Sequence, residues 1–196
     1  MSRIVVIEYV SLDGVLQGPG HADEDREGGF EHGGWTGPLL AEHARYLGPQ
    51  FQAAGGFLLG RVTFEIWASY WPTVTDEHDE IARALNGRPK YVASTTLQEP
   101  AWPGTAVIRD VRAEVTELRQ APGRPLLAMG SSALVHALTA HGLVDEYQLL
   151  LHPIVLGTGK QLFTQPGPRV ELRHLETTTT AGGLVVLRYE PAECPR

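Results

Sequence analysis

The residues from Pro125 to Phe163, PLLAMGSSALVHALTAHGLVDEYQLLLHPIVLGTGKQLF, constrain the fold more than any other stretch of the chain. Leu126–Met129 is an apolar run of strand length that stops at Gly130. Ser131 or Ser132 supplies an N-cap, and Leu134, Ala137 and Leu138 fall on one face of the helix that follows. Gly142, after His141, is a C-cap signal, and Asp145–His152 thickens into an apolar strand ending at Pro153. The unit is therefore strand, glycine turn, helix, strand. Such a turn aims backbone N–H groups and the positive end of a helix dipole away from the strand's C-terminal edge, where an anion is stable. The same turn also serves plain βα geometry, and this stretch alone leaves both readings open.

The rest of the chain alternates in the same way. Arg3–Val10 contains IVVIEYV, rich in β-branched residues and apolar on both faces, as a central strand requires. Asp13-Gly14 marks a turn, and His21–Gly37 is a long, Gly-rich loop. A loop of that length holding Phe30 and Trp35 reads as a lid over a pocket. Pro38–Phe51 reads as a helix with an apolar stripe of Leu39, Leu40, His43, Leu47 and Phe51. A second strand, Phe57–Leu59, meets Gly60-Arg61, and the helical pattern resumes from Arg61 to Tyr70. A helix over Asp76–Asn86 follows, with Ile81, Ala84 and Leu85 facing inward, then a strand over Pro89–Ser94 and another over Ala106–Arg109. Asp110 caps a helix that buries Val111, Val115 and Leu118. Past the break at Gln165–Pro168, Val170–Thr180 and Leu184–Tyr189 flank Ala181-Gly182-Gly183 as a hairpin. The fold class is α/β: a mostly parallel central sheet flanked by helices, with an antiparallel C-terminal hairpin.

Composition bounds the function. With 196 residues, 42% hydrophobic and 20% charged, the chain has enough apolar material for one globular domain over residues 1–190, leaving 191–196 as a tail. A net charge of -7 disfavours phosphate backbones, so nucleic acid is not an expected partner. The single cysteine, Cys194, permits no internal disulfide and no Cys–His metal spacing, so no metal is expected. No apolar run approaches membrane-spanning length, and the expectation is a soluble, cytoplasmic protein with no membrane partner.

Several strong motifs are missing. No GxGxxG follows the first strand, and there is no GxxxxGK[ST], no GxSxG and no HExxH. The eight histidines lack ligand spacing, and His152, in an apolar strand, reads as a core residue rather than a ligand. What remains lies at strand ends: Gly60-Arg61 with Thr63, Ser94-Thr95, Arg109, and Gly130-Ser131-Ser132. Ligands of open parallel sheets bind outside the carboxyl ends of the strands. Together these residues suit a ligand with two separated phosphate groups; singly each is weak.

The order of four motifs resembles the dihydrofolate reductase-like superfamily, and most closely the reductase branch of riboflavin biosynthesis. The motifs are VSLDGVLQGPG (Val10–Gly20), LLGRVTFEIW (Leu58–Trp67), KYVAST (Lys90–Thr95) and the stretch from Leu126 to Phe163. The resemblance implies an NADPH-binding fold. By motif, the Gly60, Arg61 and Thr63 turn would meet the pyrophosphate and, through the arginine, the adenosine 2′-phosphate. Ser94 and Thr95 would stand beside that phosphate, and Arg109 would flank the adenine. Gly130, Ser131, Ser132 and Ala133 would hold the pyrophosphate on N–H groups, with Leu134 and Val135 following in the helix. Val10 and Leu16 would border the nicotinamide. Asp13 matches the branch's Ser-Leu-Asp-Gly motif and is the candidate residue for touching substrate. Trp35, Trp67, Tyr70 and Trp71 are candidates for a substrate wall.

The implied activity is hydride transfer from NADPH to a C=N or C=O group of a small pterin- or pyrimidine-like molecule, by a homodimer. The first helix offers Glu42 beside His43 but no matched pterin-handling acid, so dihydrofolate itself is not the implied substrate. That mismatch keeps a second reading open, a non-catalytic nucleotide- or pterin-binding module. A third is a purely structural dimer paired through the hairpin edge.

Overall fold

In the computed structural model, which describes residues 1–76, 79–163 and 166–192, β1 (Ile4–Ser11) is the strand the sheet is built around. Its side chains alternate: Ile4, Val6 and Val10 enter one apolar cluster, Val5 and Ile7 the other. In chain order there follow α1 (Leu40–Ala53), β2 (Gly56–Gly60), α2 (Arg61–Tyr70), α3 (Glu80–Gly87), β3 (Lys90–Ala93) and β4 (Thr105–Ile108). Then come α4 (Val111–Gln120), β5 (Leu126–Met129), α5 (Ser132–Ala140), β6 (Glu146–His152), β7 (Leu172–Thr179) and β8 (Val185–Pro191).

The sheet order is β4-β3-β2-β5-β1-β6-β8-β7. The first six strands are parallel, and β8 and β7 close the sheet antiparallel. Helices α4 and α5 cover one face through Val115, Leu134 and Leu138. Helices α1, α2 and α3 cover the other through Leu47, Phe51, Phe64 and Leu85. Each of these large side chains contributes roughly 1.5–3 kcal/mol on full burial.

The expected fold class is the observed one. Local differences have local causes. The helix expected from Pro38 opens with a single 3-10 turn, Gly37–Leu39, before α1 begins. Leu40 is 59% exposed and leaves the apolar stripe, whose buried row is His43, Leu47 and Phe51. The helix expected over 76–86 starts at Glu80, because the Asp79 carboxylate accepts from the N–H groups of Ile81 (3.0 Å) and Ala82 (2.9 Å). Residues 77 and 78 of that span, Gln165 of the expected break, and Cys194 with the rest of 193–196 lie outside the described residues. Pro191, assigned to the tail by sequence, ends β8. No helix among the described residues is long and apolar enough to cross a membrane.

Candidate functional site

Strands β2 and β5 are parallel neighbours in register up to Leu59↔Met129, so they end at the same level. Each stops on a glycine and passes almost at once into a helix, β2 through Gly60 into α2 and β5 through Gly130-Ser131 into α5. Two helix N-termini thus stand side by side at the sheet's carboxyl edge. The Ser131 hydroxyl accepts from Leu134 N, whereas α2 has no side-chain cap, which leaves its first-turn N–H groups for a ligand.

The two turns interlock. Thr63 Oγ1 donates to the Gly130 carbonyl at 2.6 Å. A Cβ on Gly60 would lie 2.2 Å from Ser131 Oγ, and one on Gly130, whose φ is +72°, would lie 2.8 Å from Thr63 Cγ2. Only glycine permits this approach.

Above the turns lies a cavity of about 520 Å³. Leu16, Gly60, Arg61 and Thr63 line it from β1's loop and α2; Ser94, Thr95 and Arg109 line it from the ends of β3 and β4. Gly130, Ser131, Ser132, Ala133 and Leu134 complete it from the α5 turn. The structure thus brings together residues that lie as much as 144 positions apart, from Leu16 to Lys160. Val10 and Val135 are instead buried in the core beneath, and neither lines the cavity.

The cations are held lightly. Arg61 Nη1 meets both oxygens of Glu65, at 2.9 and 2.7 Å, one turn along α2 on the surface. Such a pair is worth only a few tenths of a kcal/mol, so a phosphate can take the guanidinium over. Arg109 donates to the carbonyls of Ser94 (2.6 Å) and Leu97, which fixes the 94–97 turn. Ser94 Oγ accepts from the N–H groups of Thr96 and Leu97, so it caps its own turn.

Asp13 lies off the cavity. Its carboxylate accepts from Ser11 Oγ at 2.6 Å, Gly157 N at 2.7 Å and Leu156 N at 3.1 Å. The Ser11 hydrogen bond, followed by that from Gly157, holds its pKa down at about 2. It ties the turn after β1 to the 154–157 turn. Of the four aromatic candidates for a substrate wall, none lines the cavity. Trp35 is buried with Val15 and Phe30, and its indole N–H donates to Gln17 O at 2.8 Å. Trp67 packs against the α1–α3 core, and Tyr70 and Trp71 meet edge to face. The loop over 21–37 is therefore pinned by its aromatics, while its polar part, with Glu24, Asp25 and Glu27, walls the cavity mouth. Lys160 binds Asp25 (2.6 Å) and Glu27 (2.7 Å) there. Glu42 is bound to the hairpin turn, through the Thr180 hydroxyl and Gly182 N, and does not face the sheet's interior.

One buried residue escaped the sequence reading. Glu8 interrupts the apolar run of β1 and is 3% exposed. Burial pushes its pKa up to about 8, against the lowering effect of the Gly130 and Ser131 N–H groups that its carboxyl meets. Among the described residues its Oε1 finds no hydrogen-bond partner. A lone acid inside IVVIEYV was the available signal.

This strand order, with two glycine turns opening helices at the carboxyl edge of a parallel sheet, defines a dihydrofolate reductase-like fold. Dihydrofolate reductase from Enterococcus faecalis, solved with NADP(H) and RAB-propyl, superposes with a TM-score of 0.60 at 12% identity, covering 97% of each chain. A putative riboflavin biosynthesis protein from Shewanella sp. PV-4 superposes at 0.64 with 16% identity, over 98% of this chain and 100% of that one. A pyrimidine reductase-like protein from Corynebacterium diphtheriae gives 0.62 at 14% identity, over 98% and 93%. The chain belongs to the RibD C-terminal domain family, whose model matches residues 3–186. Two relatives from Bacillus subtilis (strain 168) are YyaP, 33% identical over 67% of this chain and 71% of its own, and YwjB, 27% identical over 95% and 97%.

Proposed function

We propose that this chain is an NADPH-dependent reductase acting on a C=N or C=O group of a small heterocycle of the pterin or pyrimidine kind. The observation that carries the reading is the interlocked pair of turns, Gly60–Thr63 and Gly130–Leu134, with Arg61 and Arg109 on the same cavity. The cradle closes against any Cβ, and its donors are an uncapped helix N-terminus, a glycine-serine turn and two guanidinium groups. That donor set fits a dinucleotide bearing an additional phosphate. The α2 and α5 turns would hold the pyrophosphate, and Arg61 with Ser94 and Thr95 the 2′-phosphate. NADPH, when bound, supplies the hydride. Leu16 and the pinned loop keep water from the reacting end, and Asp13 keeps the turn beneath Leu16 in place rather than touching substrate.

The test is a titration of purified protein with NADPH and with NADH, followed by tryptophan fluorescence. Tight NADPH binding with weaker NADH binding is expected; absence of binding by either removes the reading. A second reading, a binding module without turnover, draws on Glu42, whose carboxylate is committed to Thr180 and Gly182 and so is not offered to a substrate. Steady NADPH oxidation with any pterin, pyrimidine or aldehyde eliminates it. We infer a homodimer through the open edge of β7, which light scattering on the purified chain checks.

A further inference from the structure

Pairing between β1 and β5 stops at Val6↔Ala128, while β1 runs on against β6 to Ser11↔His152. The Glu8 carboxyl lies where β5 has left β1, and the N–H groups of Gly130 and Ser131 are directed at it. These belong to the turn that opens α5 and lines the cavity. The carboxyl is therefore the underside of the anion cradle. We propose that Glu8 is a positioning residue of this cradle: a phosphate is held on the Gly130–Ser131 turn only while the Glu8 carboxyl carries its proton. The inference rests on the reading of the cavity as a nucleotide-phosphate site, and it adds a residue and a pH response that the reading lacks.

An ionised carboxylate needs hydrogen bonds on both oxygens when buried, and Oε1 has none. Among the described residues, the groups facing Glu8 give it no counter-ion. The β5–α5 turn presents backbone only, and β6 places Leu149 opposite it. The loop after β1 contributes Glu24, a second acid, which opposes ionisation of the first. Tyr9, next on the strand, packs with the opposite cluster. The cations of the site, Arg61, Arg109 and Lys160, are already engaged with Glu65, with two carbonyls, and with Asp25 and Glu27. The neutral acid places no charge beneath the turn, whereas the carboxylate sets a buried negative charge there that repels a phosphate on the other side. Burial sets the changeover near pH 8.

The experiment measures NADPH and ADP affinity between pH 7 and pH 9 for the wild-type chain and Glu8→Gln. ADP carries the pyrophosphate without the nicotinamide, and above pH 7 the ligands' own phosphates are already largely ionised. Wild-type affinity is expected to fall about tenfold across that window, as one group titrating near pH 8 requires. Glu8→Gln should bind tightly throughout, varying less than about twofold. Coincident curves for the two proteins overturn the inference and leave the NADPH reading standing. A Glu8-dependent fall for ADP with no NADPH binding at all removes the NADPH reading and leaves the inference standing. No binding of either ligand at any pH overturns both. Should Glu8→Gln fail to fold, carboxyl carbon NMR of the wild type replaces it. The resonance titrating near pH 8 must move to a higher midpoint when ADP is added, and an unmoved midpoint overturns the inference.

Discussion

His43 on α1 and His152 at the end of β6 face each other Nε2 to Nε2 at 2.8 Å, and burial lowers the pKa of both, which favours the neutral rings. The tautomers follow from the neighbours. His152 Nδ1 lies 2.9 Å from the Leu150 carbonyl, which only accepts, so Nδ1 carries the hydrogen and Nε2 is bare. His43 Nε2 must then donate, and its Nδ1 is left as a buried acceptor without a partner among the described residues. The Tyr9 ring lies 4.5 Å from that of His43, and Trp35 meets His152 edge-on at 5.0 Å. Nothing in this arrangement welcomes a second proton.

Acid should therefore loosen the protein through this pair. Burial, followed by the proximity of His152, holds the His43 pKa down at about 4 against 6.5 in the unfolded chain. Between those values the unfolded chain binds a proton that the folded one does not, so stability is full above pH 6.5 and falls as pH drops towards 4. The loss from this one group amounts to about 2–3 kcal/mol by pH 4.5. Urea unfolding at pH 7 and pH 4.5 checks it: His43→Leu should lose less stability than the wild type over that interval, by about that amount.

The interlocked turns make a second expectation. Gly130→Ala forces a side chain onto a backbone at φ +72° and against Thr63, whose hydroxyl is bonded to that same residue. Left-handed strain alone costs about 1–3 kcal/mol. A melting temperature several degrees lower and much weaker NADPH binding are expected. Gly87→Ala, at the end of α3 with nothing within 4 Å of the new methyl group, is the control and should be neutral or slightly stabilising.

Where the sequence was legible, one physical pattern decided the matter. Leu126–Met129, Gly130 and the helix behind it are specified by their neighbours in sequence, and the element bounds agree. The same holds for Arg61–Tyr70. Glu8 escaped because its environment is made by residues more than a hundred positions away: burial in the finished sheet, with Leu149 opposite, raises its pKa against the lowering effect of the Gly130 and Ser131 N–H groups. Lys160 lies inside a motif that carried the resemblance, yet its partners Asp25 and Glu27 sit in the long loop. Trp35 suggested a lid because aromatics in a polar loop need a surface to cover. It covers Val15, beside the cavity rather than over it.

Asp13 gives a third expectation, and it separates turn-holding from catalysis. Asp13→Asn removes a charge that accepts from Ser11, Leu156 and Gly157. The loss should be about 1–2 kcal/mol of stability, the usual worth of charge-assisted bonds at a partly exposed site, with NADPH affinity unchanged. Because the folded pKa lies below the usual 3.8, the stabilisation is present above pH 3.8 and is lost as pH falls towards about 2. Thermal melts of the two proteins at pH 7 and pH 3 check both parts: the gap between them should narrow to about half in acid.

On the proposed reading, Arg61 should carry the distinction between the two nicotinamide dinucleotides. Its guanidinium is half exposed and rests on Glu65, a surface partner that a dianionic phosphate outcompetes. A hydrogen bond to a charged group is worth about 1.5–3 kcal/mol, and 1.4 kcal/mol is a factor of ten. Arg61→Ala should therefore weaken NADPH about tenfold or more and leave NADH within about twofold. Glu65→Gln has the opposite sign: it frees the guanidinium from its own helix and should tighten NADPH by roughly twofold, the few tenths of a kcal/mol that such a pair is worth. Parallel fluorescence titrations of the three proteins with both dinucleotides read this out. Equal losses for NADPH and NADH in Arg61→Ala would move the arginine from the 2′-phosphate to the pyrophosphate.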